Sequence, residues 1–446
     1  MNTSSPGHFP VDPRWGRLID EVIAGRWTNP DTGRPASVPF DTIVIADSLA
    51  GAEADLVRRC LGGKLVAVVS DPATREAQGA AVARARGNMA FEVVLDHPHA
   101  DEVQVEHLRE RTRGADALVA VGSGTINDLC KYVTATDDRA YCVFGTAPSM
   151  NGYTSTTASI TLRSGLKTTQ RAHAARGVFI DLQVNAEAPR YLIASGFGDS
   201  ICRSTAQIDW YFSHRLLGTP YLEAPFALQV EDEREMFERS AAIGDRDPQA
   251  IGYLNRILTL CGLGLSIAGM SHPGSMGEHQ ISHWLDSFAG DGHPGTVHGQ
   301  QVGLTSITMA RLQQTILADP RSPRIRPTVV DEAGIRRRYP AAAVDMCLAA
   351  SRAKAMDEAA CDTFNDRLEQ AWPALRERLS AMAIPAEALT RHLRNAGGGT
   401  TAAELGFDPA LYRKAILYAR EIRDRYSFLD LAADMGILED FAAQEG

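Results

Sequence analysis

The sequence predicts an α/β amino-terminal domain built on a mostly parallel sheet, followed by an all-α carboxyl-terminal domain. Three observations predict it. Short, continuous apolar runs alternate with helix-like segments as far as Leu182. Beyond Ala188 strand signals stop, and long segments with helical spacing take over. Between the two, NAEAPR at residues 185–190 breaks the pattern, which gives domains 1–188 and 189–446.

The first strand is FDTIVIADS (40–48), followed by the helix-like AEADLVRRCLG. KLVAVVSD (64–71) is the second strand, and the Ala-rich ATREAQGAAVARARG is the helix after it. MAFEVVLD (89–96), the helix HLRERTRG and the strand ADALVAVGSG (115–124) continue the alternation. AYCVFGTAPS (140–149) is a further strand that runs into a loop. Residues 156–182 read as a hairpin, turning at Ser164 and Gly165 and returning to a last strand. Strands that are apolar throughout, rather than at alternate positions, belong to a sheet covered on both faces, which is the parallel arrangement. In the second half, DEREMFERSAAI, AMDEAACDTFNDRLEQAWPALRERLSAM and PALYRKAILYAREIRDRYSFLDLAADMG carry helical periodicity. There is no internal repeat and no low-complexity tract.

A chain of 446 residues can bury a large core, and 44% hydrophobic with 22% charged residues is ordinary for a soluble globular protein. A net charge of −10 and the lack of a basic run argue against a nucleic-acid footprint. The opening MNTSSPGHFPVDPRWG lacks the basic-then-apolar pattern of a secretory leader. The most apolar long stretch, ILTLCGLGLSIAGM (257–270), is too short to cross a bilayer and reads as a buried core helix. Seven scattered cysteines without a CxxC pair read as reduced thiols. The expectation is a cytoplasmic protein with neither nucleic acid nor membrane as partner.

Several short segments can carry chemistry. VAVGSGTINDLCKY (119–132) puts a glycine-rich turn between a strand and a helix. Gly122 and Gly124 can take positive φ, and the helix starting at Thr125 offers backbone N–H groups to a phosphate oxygen. GTAPSMNGYTSTTAS (145–159) is a second polar loop after the next strand. Two loops at the carboxyl ends of successive strands lie where open α/β sheets bind ligands. Asp71 ends a strand, where it can either read a ribose diol or cap the turn before Pro72. Asp199 follows two glycines at an expected helix start, where capping and metal ligation both remain open.

Residues 277–303, GEHQISHWLDSFAGDGHPGTVHGQQVG, hold His279, His283, His293 and His298, four of the twelve histidines. His279 and His283 are four apart in a helical pattern and share one face. Two imidazoles and a carboxylate suit a catalytic divalent metal with open coordination positions. A structural hydrogen-bonded histidine cluster is the alternative.

Taken together, the chain resembles the sn-glycerol-1-phosphate dehydrogenase family, within the iron-containing alcohol dehydrogenase and dehydroquinate synthase superfamily. The resemblance covers most of the chain and rests on GSGTINDLCKY, TAPSMNGYTS, GFGDS, GEHQISHWLD, HGQQVGL and AREIRDRYSFLDLAADMGIL, in that order. It implies a dehydroquinate synthase-like fold, with a Rossmann-like domain for NAD(H) or NADP(H) and a helical domain for metal and substrate. It implies that Asp199, His279 and His298 hold one divalent metal (zinc, with nickel or iron as alternatives), while His293 falls outside the motif as a loop residue. Asp199 and His283 would be the catalytic groups and, with Asn151, would face a small phosphorylated substrate. Gly122, Ser123, Gly124, Thr125, Ile126, Thr146, Ala147, Pro148, Ser149 and Ser155 match the family's cofactor contacts, and Asp71 matches its ribose-reading acid. A homo-oligomer is expected.

Two positions depart from related patterns. The commoner iron-dependent enzymes place a histidine four residues after the aspartate, where this chain has Arg203, which favours a three-ligand site. The family's usual aspartate after TAPSM is Asn151 here, which loses the charge and gains an NH₂ donor. The implied reaction is reduction of dihydroxyacetone phosphate to sn-glycerol 1-phosphate. The alternatives are a reductase of another phosphorylated or phosphonate aldehyde or ketone, and a dehydroquinate synthase-like cyclase. The cyclase usually carries glutamate as its first ligand, so Asp199 argues against it.

Overall fold

The computed structural model describes residues 13–445, so the reading of the opening twelve residues lies outside the described range. The strands fall where the apolar runs place them. They are β1 (Thr42–Ala46), β2 (Val66–Ser70), β3 (Ala90–Val94), β4 (Ala117–Gly122), β5 (Ala140–Gly145), β6 (Thr157–Thr161), β7 (Lys167–Arg171) and β8 (Gly177–Asp181). Six form a sheet in the order β1-β8-β5-β4-β2-β3, paired in parallel throughout, and β6 and β7 pair separately. The hairpin turn carries Gly165 at φ +84°, a conformation that glycine takes without strain. No strand follows β8 among the described residues.

The central strands β2, β4 and β8 are buried at every position, which is why their sequences are apolar throughout. Edge strand β3 is buried only at Val93. In the core, Phe144 and Phe179 face each other in register across β5 and β8, with ring centroids 4.9 Å apart. Such a pair contributes about 0.5–1.5 kcal/mol beyond its buried area.

The strand order sets a ligand position. From β2 the chain crosses outward to β3, and from β4 it crosses the opposite way to β5. The adjacent carboxyl ends of β2 and β4 therefore flank the switch point where open parallel sheets bind ligands.

The chain forms two compact units. The first comprises the described residues up to Ile160, Thr168–Ile193 and Glu223–Ile267; the second comprises Thr161–Lys167, Ala194–Leu222 and the described residues from Ala268 onward. The single boundary expected at residue 188 is thus replaced by a division at Ile193 and a return of Glu223–Ile267 to the sheet unit. The physical reason is the helix Pro248–Ala268. Its Gly262 packs so closely on Asn151 and Thr154 that a Cβ would clash with the Asn151 carbonyl oxygen and the Thr154 hydroxyl. Thr154 Oγ1 donates to the Thr259 carbonyl at 2.9 Å. Composition and length would let this helix cross a membrane, but 72% of its most apolar window is buried, as expected of a core helix.

The second unit is helical, around a core that includes Phe212, Phe364, Trp372, Tyr412 and Phe428. Buried Asp209 fixes its centre. The carboxylate accepts from the backbone N–H of Gly277 at 3.0 Å, from that of Phe428 at 3.2 Å and from Gln313 Nε2 at 2.9 Å. It thereby pins the first turns of the helices Gly277–Phe288 and Phe428–Met435 to one point.

Candidate metal centre and cofactor loops

In the sheet unit, the ends of β4 and β5 lie in register, Gly122 opposite Gly145. Thr146 N–H donates to the Gly122 carbonyl at 3.2 Å, and the Tyr153 hydroxyl spans both loops through the carbonyls of Gly122 and Ala147. The two glycine-bearing loops are thus held side by side. The helix after β4 runs Gly124–Thr136, and its N-cap Ser123 makes no side-chain cap bond. Its first backbone N–H groups donate to no oxygen of that side chain, which suits an oxyanion.

Contrary to the expectation of positive φ, neither Gly122 nor Gly124 adopts it. Gly122 is required for space: a Cβ would stand 2.7 Å from the Ile126 side chain, which packs beneath the turn. Ile126 is buried, as are Thr146, Ala147, Pro148, Ser149 and Ser155, while Ser123, Gly124 and Thr125 remain partly exposed.

Lys131 organises the second loop. Fully buried, its ammonium donates to the Gly152 carbonyl at 2.7 Å, to Ser155 Oγ at 3.2 Å and to the Thr157 carbonyl at 3.0 Å. Burial pulls it below its ordinary pKa, and Asp128 at 3.7 Å opposes that shift. Asp71 closes a capping box, accepting from Thr74 N–H at 2.8 Å, so the capping role left open by the sequence is realised. Asn151 directs its Nδ2 at Cys261 Sγ, 3.5 Å away.

In the helical unit, Asp199, His279 and His298 converge, their ligand atoms all within 4.8 Å of one another. Each histidine Nε2 stands 3.8 Å from Asp199 Oδ1. Two donors at about 2.1 Å from a common ion can be at most about 4.2 Å apart, so this spacing fits a divalent metal. Asp199 lies in the last turn of the helix Arg190–Ser200, so the helix start expected there is corrected and the capping alternative falls away. The helix His298–Ala318 supplies the third donor from its first residue.

Glycines bring the two helices together. A Cβ at Gly198 would meet the Gly299 carbonyl oxygen, and one at Gly299 would meet the Ser195 carbonyl oxygen. Asp199 and His298 are therefore neighbours of a backbone-to-backbone contact. Glu278 Oε1 accepts from His279 Nδ1 at 3.0 Å, which turns Nε2 toward the Asp199 carboxylate. His298 Nδ1 and His283 Nδ1 are buried without a hydrogen-bond partner among the described residues. Burial holds both imidazoles neutral; Arg423 is the next cause at His283, and the neighbouring His279 is the next at His298. A neutral His298 beside the Asp199 carboxylate can accept a metal without first losing a proton.

The chain is similar to known proteins. Residues 44–189 match the family described as iron-containing alcohol dehydrogenase. The glycerol-1-phosphate dehydrogenase of Bacillus velezensis is 28% identical over 87% of this chain and 91% of its own. That of Methanothermobacter thermautotrophicus is 30% identical over 74% of this chain and 89% of its own. The chain belongs to the glycerol-1-phosphate dehydrogenase family. It is an NAD(P)-dependent dehydrogenase with the fold of the iron-containing alcohol dehydrogenase superfamily. In fold it resembles maleylacetate reductase from Rhizobium sp., at a TM-score of 0.60 and 18% identity over 92% of this chain and 98% of that one.

Within this family frame, the residues expected to bind cofactor fall together in one unit and those expected to bind metal in the other. His283 lies on the helix of His279, their ring centroids 5.9 Å apart, and 5.5 Å from that of His298. Arg203, four residues after Asp199, donates to Gln207 Oε1 at 2.7 Å. His293 is a loop residue, and its Nε2 lies 2.9 Å from Gln301 Nε2 and 3.3 Å from Asp286 Oδ1. Sequence reasoning missed Glu278, Lys131 and Arg423. Glu278 directly precedes a ligand, and i,i+1 neighbours on a helix do not face each other, so spacing alone gave no signal. A lysine inside an apolar helical run was a signal for Lys131 that could have been read.

Proposed function

We propose that this dehydrogenase uses NAD(P)H to reduce dihydroxyacetone phosphate to sn-glycerol 1-phosphate. The observation that carries the reading is the convergence of Asp199, His279 and His298 in a chain of this family. These three residues would hold a divalent ion, zinc first and nickel or iron in its place. Such an ion supplies Lewis-acid polarisation of the substrate carbonyl. Glu278 holds His279 in the tautomer that leaves Nε2 free. His283, neutral and buried, holds a hydrogen bond to the substrate and relays the proton that the new hydroxyl needs. The loops after β4 and β5 hold the pyrophosphate of the cofactor at the start of the Gly124–Thr136 helix, and Asp71, capping its own turn through Oδ1, has its second carboxylate oxygen for the ribose.

Asn151 favours a second reading within the same chemistry. With an amide where the family usually has a carboxylate, the substrate could be another phosphorylated or phosphonate aldehyde or ketone.

The test is NADH and NADPH consumption by protein loaded with Zn²⁺ or Ni²⁺, with dihydroxyacetone phosphate and a panel of such carbonyl compounds. Oxidation of cofactor with dihydroxyacetone phosphate and formation of the sn-1 enantiomer is the expected result. Turnover only with a different member of the panel replaces the first reading by the second. No turnover of any member by metal-loaded protein sinks both.

A further inference from the structure

We propose that Arg423 anchors the anionic group of the substrate, a phosphate or phosphonate, beside the histidine cluster. The proposal rests on the reading of that cluster as the substrate site. Arg423 lies in the extended segment that leads into the helix Phe428–Met435. That segment is tied to the helix of the histidines: Gln280, between His279 and His283, donates from Nε2 to the Arg425 carbonyl at 3.0 Å. Ser427 Oγ donates back to Gln280 Oε1 at 3.3 Å. Arg423 lies two residues before Arg425, so the Gln280 hydrogen bond brings this segment alongside the helix that carries His279 and His283.

What singles out Arg423 is the state of the other cations nearby. Arg425 donates to the Ser275 carbonyl and to Ser271 Oγ. Lys167 pairs with Asp286 at 2.7 Å, Lys354 with Asp430 at 2.8 Å, and Arg338 with Glu421 at 2.6 Å. Arg423 alone of these has neither a hydrogen bond nor an ion pair among the described residues. Its chain neighbour Asp424 is exposed, while Arg423 itself is part-buried. A cation withdrawn from water without a counter-group costs free energy until an anion arrives. The planar guanidinium fork matches two oxygens of a phosphate. Two further buried nitrogens, His283 Nδ1 and His298 Nδ1, also lack partners, so this neighbourhood is short of hydrogen-bonding groups that a ligand would bring.

The substrate chemistry agrees. In dihydroxyacetone phosphate a single methylene separates the carbonyl carbon from the phosphate ester oxygen. A phosphate anchor must therefore stand close to the groups that hold the carbonyl.

The experiment compares metal-loaded wild type with Arg423→Gln and Arg423→Lys. Metal content is checked first, then the Kd for inorganic phosphate by calorimetry, then kcat/KM for dihydroxyacetone phosphate and for dihydroxyacetone. In Arg423→Gln, phosphate affinity is expected to fall about 10- to 100-fold, and the preference for the phosphorylated over the unphosphorylated ketone to fall by a similar factor. Arg423→Lys should lie between the two and carries the test if the glutamine variant fails to hold metal. Unchanged phosphate affinity in either variant that retains metal, or no phosphate binding by wild type, overturns the proposal. Phosphate binding that depends on Arg423, in a wild-type protein that does not reduce dihydroxyacetone phosphate, sinks the proposed reaction and keeps the anchor. Reduction of that substrate with phosphate affinity unchanged in Arg423→Gln does the reverse.

Discussion

Glu278 shows how one residue can matter to a candidate metal centre through the histidine it holds. It is fully buried, and it accepts from the Met276 backbone N–H at 2.7 Å as well as from His279 Nδ1. Replacing it by glutamine keeps the shape and removes the carboxylate that accepts from and orients His279 Nδ1. Glu278→Gln should weaken metal affinity by about 10- to 100-fold, measured by competition with a chelator of known affinity; equal affinity would remove Glu278 from the site. His272 offers a separate test by pH. Burial first, then Arg425 and Arg423, pushes its imidazole from an ordinary 6.5 down to about 3. The folded protein therefore keeps His272 neutral while the unfolded chain takes up a proton as pH falls below 6.5. Stability from this group is fully present above that value and is lost as pH drops toward 3, by up to about 1.4 kcal/mol per pH unit. Between about pH 7 and about pH 5, His272→Gln should lose less stability in urea melts than wild type, by about 1–2 kcal/mol. Parallel losses would show that His272 is accessible to protons in the fold.

At the scale of elements, the centre depends on two helices meeting without side chains. The sequence shows glycines at 198, 299 and 303, and the structure explains them: Gly198 faces both Gly299 and Gly303. An added methyl at Gly299 would meet backbone atoms of Ser195, which cannot rotate away. Gly299→Ala should cost about 2–3 kcal/mol and lower metal occupancy by pushing His298 from Asp199. The check is thermal melting together with metal analysis, and a variant with wild-type occupancy would disprove the link. The strands were legible because each central strand is buried on both faces, so its apolar run needs no partner to be recognised. The place of Asp199 was not: glycines before an aspartate read as a helix start, whereas here they lie inside a helix because another helix presses on them. Tertiary contact, invisible to local spacing, decided that turn.

For the whole molecule, the division of residues between units is the main result. The histidine pair at spacing four and the two loops were legible from local pattern, yet the first unit's claim on Glu223–Ile267 was not, because helical periodicity does not say which core a helix joins. All the residues assigned to cofactor lie in the first unit and all the candidate metal ligands in the second. Removing metal with a chelator should therefore abolish turnover while leaving the Kd for NADH within about twofold, as read by nucleotide fluorescence. Loss of NADH binding on chelation would show that the second unit shapes the cofactor site. Metal, in turn, should stabilise the helical unit through mass action by about 2.7 kcal/mol at a hundredfold excess over its Kd, read as a higher melting temperature.

The helix Pro248–Ala268 gives this architecture a consequence for biosynthesis. Its contacts to Thr154 and Asn151 join residues about a hundred positions apart. A nascent chain that has already made all of its strands still lacks the brace on its second loop, because the brace is encoded after Leu222. That loop gains its brace only once the apolar helix clears the ribosome, and until then the helix and the loop surface it will cover are exposed to chaperones.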